Sequence, residues 1–157
     1  MREADGSTRS RRIWWCFVSY VILLALLTLA PPPVSQTNGN YGTNIVPVIY
    51  SLKCFVPNPG QPSTTAFCLR IFTGNVALFV PFGMLVPLVA PKTHSLLRIV
   101  ASAFAVAVSI ELLQYAGRWV GSARWTDVDD VLLNVAGALI GYGLLRVGQY
   151  LLQPDDS

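Results

Sequence analysis

The chain reads as an all-α integral membrane bundle of four transmembrane helices, with both termini cytoplasmic. Three observations predict this. Of 157 residues, 53% are hydrophobic and only 12% are charged, and mean hydropathy is +0.51, a composition of the membrane class. Four apolar segments each approach the ~20 residues a helix needs to cross ~30 Å of hydrocarbon. No ten-residue alternation of the barrel type occurs, so helices are left to satisfy the backbone in lipid. The expected setting is a multi-pass protein of the cell membrane, with the lipid bilayer as its first partner.

The elements follow in order. Residues 1–12 form a basic cytoplasmic N-terminus carrying Arg9, Arg11 and Arg12, and residues 13–30 form a first helix without a charge. A signal peptide is the alternative for this segment. Against it, the apolar run exceeds a usual h-region, and Pro31-Pro32-Pro33 follows at once, which disfavours cleavage. An uncleaved anchor is therefore expected, with Cys16 inside it. Residues 31–70 form a long outer connection rich in Pro, Gly, Asn, Ser and Thr, the kind of loop that is functional or flexible. Within it, residues 45–53 are apolar enough to lie along the interface.

Cys54 and Cys68 also fall in this connection. In an oxidising compartment they are candidates to close a loop of about 15 residues, worth roughly 3 kcal/mol by chain entropy. Residues 71–90 form the second helix, with Pro81 expected to kink it. Residues 96–116 form the third, and residues 128–147 the fourth, completing a core over 71–147. Residues 148–157 form a cytoplasmic tail.

The distribution of Lys and Arg sets the orientation. With the N-terminus inside, seven basic residues (Arg2, Arg9, Arg11, Arg12, Lys92, Arg98 and Arg146) lie on the cytoplasmic side. Four (Lys53, Arg70, Arg118 and Arg124) lie outside. That choice puts Asn75, Glu111, Gln114 and the start of the fourth helix at the extracytoplasmic face.

Acidic residues are scarce and clustered. Between Asp5 and Asp155 only four occur, Glu111, Asp127, Asp129 and Asp130, all within twenty residues and interleaved with Gln114, Arg118, Arg124 and Asn134. Carboxylates beside hydrocarbon are costly and mark function by default. Asp127, Asp130, Asn134, Gly137 and Gly141 follow 3-4-3-4 spacing and share one helix face, with Asp129 pointing elsewhere. On the third helix Glu111 and Gln114 share a face that Ala103 and Ala107 extend. The two faces are expected to pack together, bringing Glu111 and Gln114 beside Asp127 and Asp130. The Gly137-x-x-x-Gly141 seam would allow the close approach. Glu111, Asp127 and Asp130 are the candidates for acid/base work, Glu111 first because it lies deepest. Asn75, Gln114, Arg124, Asp129 and Asn134 are candidate ligand-binding groups, and Arg124 suits a carboxylate or phosphate.

Plainer readings stand beside these. Thr126-x-x-Asp129 resembles a capping box, and acids at a helix start are favoured by its dipole. Arg124 paired with an acid would simply lock the turn, and Asn134 is worth about 0.6–2 kcal/mol as an interhelical bond. No metal is expected, since no His joins the acids and their spacing matches no metal signature; His94 is read as a cytoplasmic loop residue. No cofactor is expected either, and no nucleophile elbow or phosphate-cradling loop occurs. The net charge of +3 lacks a basic stripe with interleaved aromatics, so nucleic acid is not an expected partner.

Taken together, these motifs resemble the VanZ-like family of bacterial membrane proteins. The resemblance rests on Asn75, Phe79, Pro81 and Gly83 in an Asn-x-x-x-Phe-x-Pro-x-Gly helix, and on Glu111 and Gln114 in a Glu-x-x-Gln helix end. It rests further on Arg124, Asp127, Asp129, Asp130, Asn134 and Gly137, with Gly141 beyond; it spans about residues 70–146. It implies an envelope role: the namesake confers low-level resistance to teicoplanin, a lipoglycopeptide acting outside the cytoplasmic membrane. Three functions follow as alternatives. The first is a protein that binds or excludes a lipoglycopeptide or lipid-linked precursor. The second is an enzyme working by carboxylate chemistry on a phospholipid or polyprenyl-linked substrate. The third is a non-catalytic scaffold.

Overall fold

The computed structural model describes residues 2–30, 43–47, 63–90, 95–120 and 126–153. Four long helices run through it: α1 (Arg2–Leu29), α2 (Ser63–Val89), α3 (Leu96–Ala116) and α4 (Val128–Leu151). Each holds a stretch long and apolar enough to cross a membrane, over Thr8–Leu29, Cys68–Val89, Leu96–Trp119 and Val128–Leu151. The protein is therefore a multi-pass, all-helical membrane protein.

Two of these helices begin earlier than the apolar pattern alone indicates. α1 runs back to Arg2 rather than starting at residue 13, and α2 starts at Ser63 rather than residue 71. Charges delimit a span but do not break a helix, because Arg and Glu are good helix formers in water. Proline stands at two of the boundaries. α1 stops at Leu29, two residues before Pro31, and α2 starts just after Pro62, where proline is tolerated at a helix edge. α4 likewise continues to Leu151, four residues past the expected end. Only α3 keeps its expected bounds. Its N-cap Ser95 accepts from the Arg98 backbone N–H, and its last turn tightens into a 3₁₀ turn over Gly117–Val120.

A pair of two-residue strands, not expected from the sequence, accompanies the helices of this all-α fold. Strands β1 (Thr43–Asn44) and β2 (Thr126–Asp127) pair in parallel, Thr43 opposite Thr126 and Asn44 opposite Asp127. One point of the long α1–α2 connection is thereby fastened to the entry of α4. Ile45 and Val46, next along, are exposed, and residues 48–53 of the expected interfacial stretch lie outside the described residues.

The closest helix pair is α2 with α4. A Cβ at Gly83 would collide with the Ala138 carbonyl and lie 2.8 Å from the Tyr142 backbone nitrogen. One at Gly137 would meet the Val76 carbonyl, and one at Gly141 the Val80 carbonyl. The glycine seam thus faces α2, not α3 as expected. With little hydrophobic drive between helices in lipid, such backbone-level packing is a main source of association. Against α3 the contact is of another kind, alanine and β-branched side chains: Ile99, Ala103 and Ala107 are fully buried and join Val131 and Ala138 in the core.

Phe79 and Phe82, 5.5 Å apart between ring centroids, fill the centre. Pro81 has no N–H to give the Ala77 carbonyl and disturbs that stretch of α2. The adjacent Leu78 carbonyl receives the Tyr20 hydroxyl of α1 at 2.9 Å. α1 is the outermost helix, with Leu24 its buried contact and Trp14, Trp15, Ile22 and Leu26 facing outward. Cys16, expected inside, is on this outward side and is a free thiol.

Candidate functional site

Three side-chain bonds gather all four helices at one end of the bundle. Asn75 of α2 donates its Nδ2 to Asp130 Oδ1 of α4 at 2.5 Å. Glu111 of α3 accepts the Asp127 backbone N–H on its Oε2 at 3.1 Å. Gln114 donates its Nε2 to the Thr28 carbonyl of α1 at 2.9 Å. The end of α1, the first half of α2, the end of α3 and the beginning of α4 therefore meet at one end of the bundle.

The local sequence explains each placement. Asn75, Phe79 and Gly83 lie four residues apart and so on one face of α2. The asparagine holds the acid, the phenylalanine fills the core and the glycine admits α4. On α3, Ala103, Ala107 and Glu111 follow the same spacing. All three are buried, and Glu111 retains only 7% of its surface. The cap of α4 is Asp127 rather than Thr126: its backbone is extended (φ −132°, ψ 124°) and its Oδ1 accepts from the Asp129 N–H at 2.9 Å.

Some expected neighbours separate. Gln114 turns to α1 instead of joining Asp127 and Asp130, because Thr28 presents one of the orphan carbonyls at the end of a helix. Asp129, expected to point away from the Asp130 face, is buried to 4% exposure, deeper than Glu111. Arg124 and Cys54 lie outside the described residues, as does His94. Cys68 is disulfide-bonded and sits buried in α2 rather than in a loop.

Arg118 takes a place that sequence reasoning did not assign. Its guanidinium donates from Nη1 to Thr43 Oγ1 at 2.9 Å and from Nη2 to Thr126 Oγ1 at 3.2 Å, bracing both strands. Its carbon centre stands 4.6 Å from the centroid of the Tyr115 ring, a cation–π distance. The signal was the three-residue Tyr115–Arg118 spacing, which stacks the two side chains on one helical face.

Asn134, one turn beyond Asp130 on the same face of α4, is 4% exposed, and its Oδ1 is buried with no hydrogen-bond donor among the described residues. Neither Glu111 nor Asp130 has a cationic partner among the described residues. Among the described residues no group of three or more His, Cys, Asp or Glu converges as metal ligands would. The arrangement can accept hydrogen bonds from a ligand, hold positive charge, or pass a proton between carboxyls.

A bundle of four membrane-crossing helices with carboxyls and amides joined at one end defines a class of polytopic helical membrane protein. The chain belongs to the VanZ/LLP1 family, whose family description matches residues 17–150. No curated protein and no solved structure matches it.

Proposed function

We propose that this protein binds a cell-envelope ligand, a lipid-linked precursor or a lipoglycopeptide, at the polar end of its bundle. That end lies on the extracytoplasmic side in this reading, with both termini in the cytosol, as the seven-to-four division of basic residues favours. One observation carries the reading: Asn134 Oδ1, buried one helical turn from Asp130 and lacking a donor among the described residues. A buried acceptor left unpaired costs about 1–3 kcal/mol, and such groups are rare in folded proteins. A group retained at that cost supports a ligand site better than mere packing. Glu111, Asp127, Asp129, Asp130, Asn75 and Asn134 would line it, with Gln114 at its border, and Arg124 is a further candidate by its sequence position three residues before Asp127.

The grouping of Glu111 with Asp127 and Asp130 favours a second reading, an enzyme acting on a phospholipid or polyprenyl-linked substrate. Glu111 or Asp127 would then be the acid/base. Expression of Glu111→Gln, Asp130→Asn and Arg124→Lys, with folded yield and teicoplanin susceptibility measured together, tests both. Unchanged yield with altered susceptibility is expected. Loss of folded yield in all three would leave only a packing role, and lipid turnover abolished by them would establish the enzyme.

A further inference from the structure

We infer that the ligand presents a protonated amine, an ammonium-bearing headgroup on an amphiphile. This rests on the ligand-binding reading and specifies its chemistry. Three side chains in the polar end have acceptor capacity unused among the described residues. Asn134 Oδ1 has no donor. Glu111 bonds through Oε2 and Asp130 through Oδ1, which leaves the second oxygen of each. The complement of these three acceptors is a group that donates several hydrogen bonds and accepts none, and an ammonium is such a group.

Charge argues the same way. Glu111 and Asp130 carry no cationic partner among the described residues, while Arg118 is engaged by Thr43, Thr126 and the Tyr115 ring. The positive N-terminal end of α4 favours acids in its first turn, where Asp129 and Asp130 lie. Glu111 stands near the carbonyl end of α3 and gains nothing from that dipole. A phosphate would meet these carboxyls as like charge. A divalent cation is held by several oxygens at ~2.0–2.6 Å, and among the described residues no group of three or more His, Cys, Asp or Glu is placed to hold one. Ammonium–carboxylate bonds run longer, at about 2.7–2.9 Å, so a looser cluster satisfies them.

The surroundings favour an amphiphile over a free amine. Leu112, Leu113 and Leu132, in the same turns as Glu111 and Asn134 but on other helix faces, are exposed on helices long and apolar enough to cross a membrane. A headgroup docked here would keep its chains in lipid.

The full chain in phosphatidylcholine nanodiscs, doped with phosphatidylethanolamine or phosphatidylglycerol, supplies the test. Retained lipid is read by native mass spectrometry, and thermal unfolding is followed in parallel. Phosphatidylethanolamine should be retained about tenfold more strongly than phosphatidylglycerol, and Glu111→Gln or Asp130→Asn should each lose about that factor. Asn134→Leu removes the orphan acceptor. It should fold at least as stably without the amine lipid and lose the preference for it, which a purely structural asparagine would not do. Equal retention of the two lipids, or a preference that survives all three variants, overturns the inference. So does magnesium binding in their place, and free ethanolamine binding as tightly overturns the lipid part. If phosphatidylglycerol or teicoplanin binds in a Glu111- and Asn134-dependent way while the amine lipid does not, the amine falls and the ligand site stands. If no probe depends on these residues, both fall.

Discussion

Asn75 and Arg118 show how single polar groups hold this membrane-end cluster together. Asn75 supplies the donor that satisfies Asp130 Oδ1, so Asn75→Ala leaves a part-buried carboxylate oxygen unpaired. A loss of roughly 1–3 kcal/mol is expected, measured by unfolding in detergent; Asn75→Asp, which sets a second carboxyl against Asp130, should cost more. Arg118 is different, because its fork spans two threonines. Arg118→Lys keeps the charge but not the two-point geometry. The expected result is a stable bundle whose residues 43–47 exchange backbone hydrogen markedly faster. The candidate acids could be picked out from sequence because carboxyls are so scarce in it. Thr28 could not, since its contribution is a backbone carbonyl that any residue carries.

At the scale of the element, glycines divide by what they face. Gly83 and Gly141 abut backbone of the partner helix, and rigid backbone cannot yield to a methyl group. Gly83→Ala and Gly141→Ala should therefore push α2 and α4 apart, at a cost of about 1–3 kcal/mol from overpacking. Gly74 faces open space, and a methyl group there would meet nothing within 4 Å. Gly74→Ala should stabilise by about 0.5–1 kcal/mol through helix propensity alone. Opposite signs for the same chemical change, read in one detergent-unfolding series, test the seam; equal effects would refute it. Element ends were legible where a stop signal stands, as at Ser95 before α3, and illegible where only charge changes, as at Arg9–Arg12 and Arg70. The backbone continues through charge because nothing steric prevents it.

At the scale of the whole molecule the antiparallel run of the helices puts the α3–α4 turn and the C-terminus at opposite membrane surfaces. A reporter active only in the cytosol should work when fused after residue 157 and fail when inserted in that turn; the reverse pattern would invert the proposed orientation and place the polar site inside. The bonded Cys68 bears on the same question, since disulfides persist in oxidising compartments. We expect Cys54→Ser to free a thiol at Cys68 that maleimide labels once the protein is denatured without reductant, and to lower stability by roughly 3 kcal/mol. Labelling unchanged by the substitution would show that Cys54 is not its partner.

Sequence alone determined the number of spans, the gathering of the acids at one end and the faces on which small residues lie, because hydrophobic length and helical periodicity are local properties of the chain. Tertiary structure decided which neighbour each face meets. The glycines of α4 met α2 instead of α3, Gln114 met the end of α1, and a strand pair tied the long connection to the site. Periodicity assigns a side chain to a face but carries no information about the helix opposite. That choice belongs to the packing of all four helices at once, where backbone-level contact and unpaired carbonyls compete for the same partners.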